Sequence, residues 1–326
     1  MKSDKKIIGA LFLERITVSA PASIANVGPG FDVFGFALDA PTDIIHATKL
    51  DDQPKKVIIE KVNNPDLPTD PTRNTAGISA KYILEKINAD FGVSLVIKKG
   101  MGIGTGLGSS AASAAASAKA VQYFSRNNIQ IQILLEGCIK AEESIDGGIH
   151  GDNVVPSFLG GFIVIPSSRN PLLFSKFEIQ SELRVVLAIP PISILTADAR
   201  RILPKTISLA KSITTTGYAG LVMAGIIKKD LKLMGKGIFD PVIEPVRAKL
   251  IPNFYKVKKA ALEAGAYGCS ISGAGPTVFA ISDTDSDLRT IGKAMAEAFG
   301  LDQPITVRIG LPNNEGAKIL ARSYEF

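Results

Sequence analysis

The sequence predicts a mixed α+β protein built as two units around a cleft, and three observations carry that expectation. Both halves of the chain alternate β-branched runs with helical patterns. A polar break containing proline falls near residues 166–182. The 326 residues suffice for two ordinary domains, each with its own core. The expected division is 1–170 and 171–326.

Taken in order, Ile16 to Leu38 read as strand, loop and strand: ITVSAPASIA, then NVGPGFD, then VFGFALD. VIIEKV is another strand, and the Pro/Asp/Asn loop NNPDLPTDPTRN leads into a helix over Ala76–Asn88. SLVIKK is a strand that delivers the chain into GIGTGLGSS, and a helix of small residues follows directly. A second helix spans Ile131–Ser144, the turn-rich IDGGIHGDN follows it, and GGFIVIP closes the first half as a buried strand. The second half restarts with the strand LRVVLAIP and continues as helical segments over Lys205–Lys232 and Tyr255–Ala264. YGCSISGAGPTVFAI reads as strand, tight turn and strand; KAMAEAF supplies a helix and PITVRIG a last strand.

Composition narrows the function classes. Apolar residues make up 46% of the chain and charged residues 21%, the balance of a soluble globular protein. No apolar run reaches membrane-spanning length, and the opening MKSDKKIIGALFLERI lacks a signal-peptide core and cleavage site, so a cytoplasmic location is expected. With Cys138 and Cys269 as the only cysteines and His46 and His150 as the only histidines, neither a disulfide framework nor a thiolate or multi-histidine metal site is expected. Any metal is then held by oxygen, which points to magnesium. The net charge of +6 suits an anionic ligand, but the lysines are scattered and no basic tract is interleaved with aromatics. That argues against nucleic acid as a partner.

The segment from Gly102 to Ala120 reads as a phosphate cradle. Glycines at 102, 104, 106 and 108 remove side chains that would keep an anion from the backbone, and they permit positive φ. Ser109 and Ser110 suit the N-cap of the Ala-rich helix, whose first-turn donors would face the same anion. Two better-known glycine motifs do not match: no lysine follows as in a P-loop, and G-x-G-x-x-G fails in every register. A flexible glycine loop before a closely packed helix is the plain alternative.

Further residues stand out for chemistry. In ILLEGCIKAEES the helical period places Glu142 near the centre of a stripe formed by Leu134, Leu135, Cys138 and Ile139. A carboxylate there is either a metal ligand or half of a buried ion pair. Asn26, Asp32, His150, Asp152 and Asn153 concentrate in two Gly-rich loops, the kind of segment that carries function, although turn capping accounts for each taken alone. Arg200 and Arg201 in LTADARRILP and Arg247 in IEPVRAKLIPNF follow Pro-rich turns, and an arginine pair can grip a small carboxylate.

Three segments together, PASIANVGPGFDVFGFAL, GTGLGSSAAS and SISGAGPT, resemble the three motifs of the GHMP kinases, the superfamily of galactokinase, mevalonate kinase and homoserine kinase. The first has the form characteristic of the homoserine kinase branch. The likeness extends through RNTAG, the segment from His150 to Pro156, ILTADARRILP and VIEPVRAKLIPNF, and so covers nearly the whole chain. One departure is Gly102, where many members carry proline.

The resemblance implies a ribosomal-S5-like N-terminal domain and a ferredoxin-like C-terminal domain with the site between them. It implies transfer of the γ-phosphoryl of ATP to the side-chain hydroxyl of L-homoserine, giving O-phospho-L-homoserine and ADP in threonine biosynthesis. It is compatible with a homodimer. By the same resemblance, Gly102, Gly104, Gly106, Leu107, Gly108, Ser109, Ser110 and Ala111 wrap the ATP phosphates, with Ser109 or Ser110 and Glu142 near magnesium. Asn74 and Lys99, or Lys98 in place of the latter, match positions near adenine and ribose. Asn26 and Asn153 match positions near the homoserine hydroxyl, Asp32 faces the ammonium, and Arg200 and Arg247 face the carboxylate, with His150 and Thr196 lining the pocket. The SGAGPT turn is expected beside the glycine loop. Where mevalonate kinase and galactokinase place an aspartate near the acceptor hydroxyl, this chain has Asn153, which implies catalysis without a side-chain base; Asp152 is the rival candidate. A mevalonate or sugar kinase of the same superfamily, or a non-catalytic relative, is the alternative.

Overall fold

The computed structural model describes residues 13–126, 128–167 and 170–325, so the opening segment read above for a leader lies outside them apart from its last residues. The first half contains β1 (Leu13–Ala25), β2 (Phe34–Leu50), β3 (Val57–Val62), α1 (Thr75–Lys86), β4 (Gly92–Lys98), α2 (Ser109–Phe124), α3 (Ile131–Asp146), α4 (Gly151–Leu159), β5 (Phe162–Val164) and β6 (Ser175–Phe177). The second contains β7 (Arg184–Ile189), α5 (Thr196–Arg201), α6 (Leu209–Lys228), α7 (Leu231–Gly237), α8 (Glu244–Arg247), α9 (Phe254–Glu263), β8 (Gly268–Ile271), β9 (Val278–Ser282), α10 (Leu288–Phe299), β10 (Thr306–Gly310) and β11 (Lys318–Glu325).

The larger sheet runs β11-β1-β2-β4-β3, and the smaller runs β10-β7-β9-β8. β2 serves two neighbours on one side: its start pairs with β5 through Phe34–Phe36, and its end pairs with β4 through Ile44–Leu50. α1, α2, α3 and α4 pack together over the larger sheet. The centre of that layer is α2, where Ala111, Ala112, Ala114, Ala115, Ala116, Ala118 and Ala120 are all fully buried. Alanine gives a helix high intrinsic propensity and little girth, so α2 can sit close to strands and helices on every side.

The structure departs from the sequence expectation at particular places. The second strand runs on through Ala40–Leu50 rather than stopping at Asp39. Asp152 and Asn153 lie in the first turn of α4 and not in a loop. Glycines before this helix and Pro156 inside it mask its signal. Proline supplies no N–H to the carbonyl of Asp152, and that carbonyl packs where a Cβ on Gly35 would stand, 1.7 Å away. The short β6 pairs with β5, so the larger sheet continues past residue 170 to Phe177. β11, within the part expected to form the second unit, hydrogen-bonds along β1 from Leu13 to Ser19. One buried core joins Ile16, Phe36 and Leu95 to Val185, Leu187, Val222, Met234, Phe279 and Ile281. A second buried core, with Val186, Phe254, Val257, Ile291 and Phe299, lies wholly beyond residue 170, so the second half shares the first core and adds one of its own. No helix among the described residues is long and apolar enough to cross a membrane.

Candidate active site

The glycine loop enters from β4 and ends at α2, and its carbonyls are bound from behind. Ser193 Oγ donates to Ile103 O, Ile194 N to Gly104 O, Thr277 N to Thr105 O, Ser272 Oγ to Gly106 O and Ser23 N to Leu107 O. With its oxygens held this way, the loop turns its amide edge to the cleft. Among the described residues none accepts from the N–H groups of Gly102 through Gly108. Gly104, Gly106 and Gly108 have φ of 65°, 79° and 68°. Converging free donors at a helix start form a site for an anion. The N-cap of α2 is Gly108, with no side-chain cap bond, so Ser109 and Ser110 do not cap the helix as expected. A capping side chain would occupy the donors that the bare cap leaves open.

Facing the loop is a turn wound against the usual backbone preference: Asn26, Val27 and Asp32 have φ of 71°, 44° and 57°. A β-branched residue at positive φ is strained, and it persists only where its surroundings hold it. Here the Gly273 carbonyl accepts Asn26 Nδ2 at 2.8 Å and Arg247 Nη1 at 2.7 Å, while Asn26 Oδ1 accepts the Asp32 N–H. The SGAGPT turn thus ties the first loop, the glycine loop and Arg247 together.

Arg200 forms a two-bond pair with Asp32, each bond 2.9 Å long. The guanidinium groups of Arg200 and Arg247 lie 5.4 and 5.0 Å from the centre of the Phe31 ring, which both contact. Arg247 is 3% exposed, and its Nε has no partner among the described residues. Burial lowers its pKa to about 10, so it stays charged at neutral pH. Asp152 is also buried, and desolvation followed by the nearby Asp32 carboxylate pushes it up to about 7. Carboxylate and imidazole atoms of Asp32, His150 and Asp152 fall within 4.8 Å of one another, a spacing that could hold a cation. Arg200 and Arg247 lie close enough to offset that negative charge, so the corner carries charges of both signs.

One cleft of about 380 Å³ brings these groups together. Asn26, Asp32, Asn74, Lys99, Gly102, Gly104, Gly106, Leu107, Gly108, Ser109, Ser110, Glu142, His150, Asn153, Thr196, Arg200 and Arg247 all line it. Ala111 is buried beneath the loop and does not. Lys98 is exposed and off the cleft wall. Glu142 is 4% exposed, inward as its helical stripe implied. Asn153 Oδ1 accepts from Ser23 Oγ and lies under Gly108, where a Cβ would come within 2.9 Å of it.

Two expected nucleotide contacts are occupied by the fold. Asn74 caps α1 by accepting from the Ala76 N–H, and it donates to Pro68 O. The Lys99 ammonium pairs with Asp43 and donates to Ser109 O and Ser113 Oγ, which engages its three N–H groups within the fold. Sequence reading missed Asp43, Phe31, Arg73, Thr75 and Ser113, whereas Gly273 and Ala274 on the cleft wall belong to the SGAGPT turn expected beside the glycine loop. The signal for Asp43 was a lone carboxylate in the apolar run APTDIIHATKL, visible only once that run is taken as strand.

Comparison with known proteins gives the family. The GHMP kinases N-terminal domain family matches residues 74–161, and the GHMP kinases C-terminal family matches residues 222–301. The chain is similar to the homoserine kinase of Chloroherpeton thalassium, 41% identical over 297 residues that cover 88% of this chain and 93% of that one. It is 39% identical to the homoserine kinase of Pyrococcus furiosus over 86% of this chain and 92% of the relative. Among solved structures, homoserine kinase from Cytophaga hutchinsonii superposes with a TM-score of 0.88 at 36% identity, covering 98% of this chain and 99% of that one. Lactococcus lactis galactokinase complexed with galactose, at 15% identity and a TM-score of 0.68 over 93% of this chain and 95% of that one, shares the fold. The chain belongs to the homoserine kinase family of the GHMP kinases, ATP-dependent kinases of small molecules.

Proposed function

We propose that the cleft brings ATP to L-homoserine and that the γ-phosphoryl passes to the side-chain hydroxyl, leaving ADP and O-phospho-L-homoserine. The observation that carries this reading is one cavity with an amide-lined glycine loop at one end and Asp32, Arg200 and Arg247 at the other. The first end suits a chain of phosphates. The second suits a zwitterion, whose ammonium takes Asp32 and whose carboxylate takes the guanidiniums. Arg200 and Asp32 bind each other through two 2.9 Å bonds, and a zwitterion engaging both would exchange that one ion pair for two. Thr196 and His150 complete the wall, and Asn26 and Asn153, also on it, would orient the hydroxyl toward the loop.

Magnesium fits the oxygen donors offered by the Ser109 hydroxyl and the Glu142 carboxylate, both on the cleft wall. When bound, it would offset charge on the phosphates. The loop amides hold the transferring group, and the asparagines and arginines hold the acceptor, so positioning supplies much of the rate. Asn153 cannot accept a proton as a base. In a loose phosphoryl-transfer transition state little deprotonation is needed early, so the hydroxyl proton can leave to a phosphoryl oxygen or to water. Both cysteines are free and buried, which fits the proposed cytoplasmic location.

The test is ADP release with ATP and magnesium against L-homoserine, L-serine, L-threonine, mevalonate and galactose. Turnover with L-homoserine is expected. Turnover with mevalonate or galactose in its place would discard the zwitterion pocket while keeping the phosphate loop.

A further inference from the structure

Beneath the glycine loop lies a buried carboxylate that none of the three motifs contains. Asp43 stands in the middle of β2, opposite Ala20 of β1, and is fully buried. Its Oδ1 accepts the Gly100 N–H at 3.0 Å. Its Oδ2 accepts Ser113 Oγ at 2.8 Å and Ser109 Oγ at 3.2 Å and pairs with the Lys99 ammonium. Donors thus reach one side chain from both sides of the loop: Lys99 and Gly100 before it, Ser109 and Ser113 after it. Lys99 adds bonds to Ser109 O at 2.8 Å and Ser113 Oγ at 2.6 Å.

Proton bookkeeping settles how Ser109 is turned. An ionised carboxylate only accepts, so the single hydroxyl proton of Ser109 is directed to Asp43. The lone pairs of Ser109 Oγ are then left for the cleft, which this residue lines. Ser113 is fixed in the same sense, giving its proton to Asp43 and accepting from Lys99.

We infer that Asp43 is a positioning residue for the nucleotide: it holds the Ser109 proton so that Ser109 Oγ faces the magnesium of MgATP as an acceptor, and it clamps the two ends of the glycine loop together. This rests on the reading that the loop holds the ATP phosphates. An ion pair that merely stabilised the fold would affect both substrates alike; the arrangement here acts on the metal-bearing one.

The experiment is calorimetric binding of ATP with and without magnesium, in the absence of homoserine so that no turnover occurs. It compares the unmodified protein with Asp43→Asn, Ser109→Ala and the pair combined, and a thermal-shift titration with L-homoserine runs alongside. Asp43→Asn is expected to reduce the magnesium-dependent gain in ATP affinity tenfold or more and to leave homoserine binding within about twofold. Ser109→Ala is expected to lose the same gain, and the combined variant to lose no more. Because Asp43→Asn strands the buried Lys99 charge and can unfold the protein, Asp43→Asn/Lys99→Met removes both charges together and is expected to melt near the unmodified protein with the same loss. A folded double variant that keeps the full magnesium-dependent gain would overturn the inference, as would an Asp43→Asn protein that loses ATP and homoserine affinity in step. An unmodified protein that does not bind ATP would overturn the loop assignment itself and this inference with it.

Discussion

Arg247 and Asp152 show how burial sets what a side chain in this cleft can do. Arg247 is charged, buried and bonded to the Gly273 carbonyl, so on the proposed reading its remaining donors would meet the homoserine carboxylate at little cost in ordering. Arg247→Leu is expected to lower kcat/KM for homoserine by roughly 2–4 kcal/mol, mostly through KM, with the KM for ATP less affected. Equal damage to both substrates in steady-state kinetics would make Arg247 structural. Asp152 points elsewhere than its neighbour: it is grouped with Asp32 and His150, whereas Asn153 lies under Gly108. Asp152→Asn is therefore expected to keep most of kcat, and loss of turnover in a folded variant would make Asp152 the base. Its second consequence is on stability. A carboxyl raised from 3.8 to about 7 binds more protons folded than unfolded between those values, so its contribution is full at low pH and is lost as pH rises through about 7. That loss is on the order of 4 kcal/mol by linkage. The melting temperature of Asp152→Asn should gain on the unmodified protein between pH 5 and pH 8; a constant difference would contradict the buried, raised carboxyl. Residue types and motif spacing made the arginines, Asp32 and Glu142 legible in the sequence. Phe31 and Asp43 were not, because their roles depend on what lies across the fold from them.

At the scale of elements, the glycine loop works because its carbonyls are fixed from outside and its amides are not. The positions in the loop differ in what they tolerate. A Cβ on Gly106 would lie 2.4 Å from Ser272 O and 2.7 Å from Gly275 O, at a φ of 79°. On Gly102 it would meet only Thr105 Cγ2, at 2.9 Å, and no positive φ is required. Gly106→Ala is expected to raise the KM for ATP at least tenfold, since left-handed strain alone costs roughly 1–2 kcal/mol. Gly102→Ala is expected to stay within about threefold. Nucleotide titration of both variants checks this, and equal effects would mean that loop flexibility, not the clash with the SGAGPT turn, matters. The same contrast explains which elements could be read in advance. α2 and α3 carry strong composition or periodicity, and β3 falls where VIIEKV placed it. α4 is short and interrupted by Pro156, α8 spans four residues and β6 three, so their local signals are weak and tertiary packing decides them.

For the whole molecule, strand pairing and one of the two buried cores cross the expected boundary at 170, while the other core lies wholly beyond it. β11 closes the β1 edge of the larger sheet, and the core of that sheet draws on Val185, Leu187, Val222, Phe279 and Ile281 from beyond the boundary. Hydrophobic periodicity locates strands but not their partners, which is why a return of the chain to its first strand was not legible. The active cleft depends on the same arrangement, since the bonds that hold back the loop carbonyls come from Ser193, Ile194, Ser272 and Thr277 as well as from Ser23. Cutting the chain at 170 would expose the β1 edge, strip apolar cover from the larger sheet and release the loop together. Residues 1–170 expressed alone are therefore expected to remain unfolded or to aggregate, without dispersed amide resonances or ATP binding. The full chain is expected to melt in one calorimetric transition whose midpoint rises with ATP and with homoserine. A fragment 1–170 that folds and binds ATP, or two separate transitions each shifted by one substrate, would instead establish two independent domains meeting at the cleft.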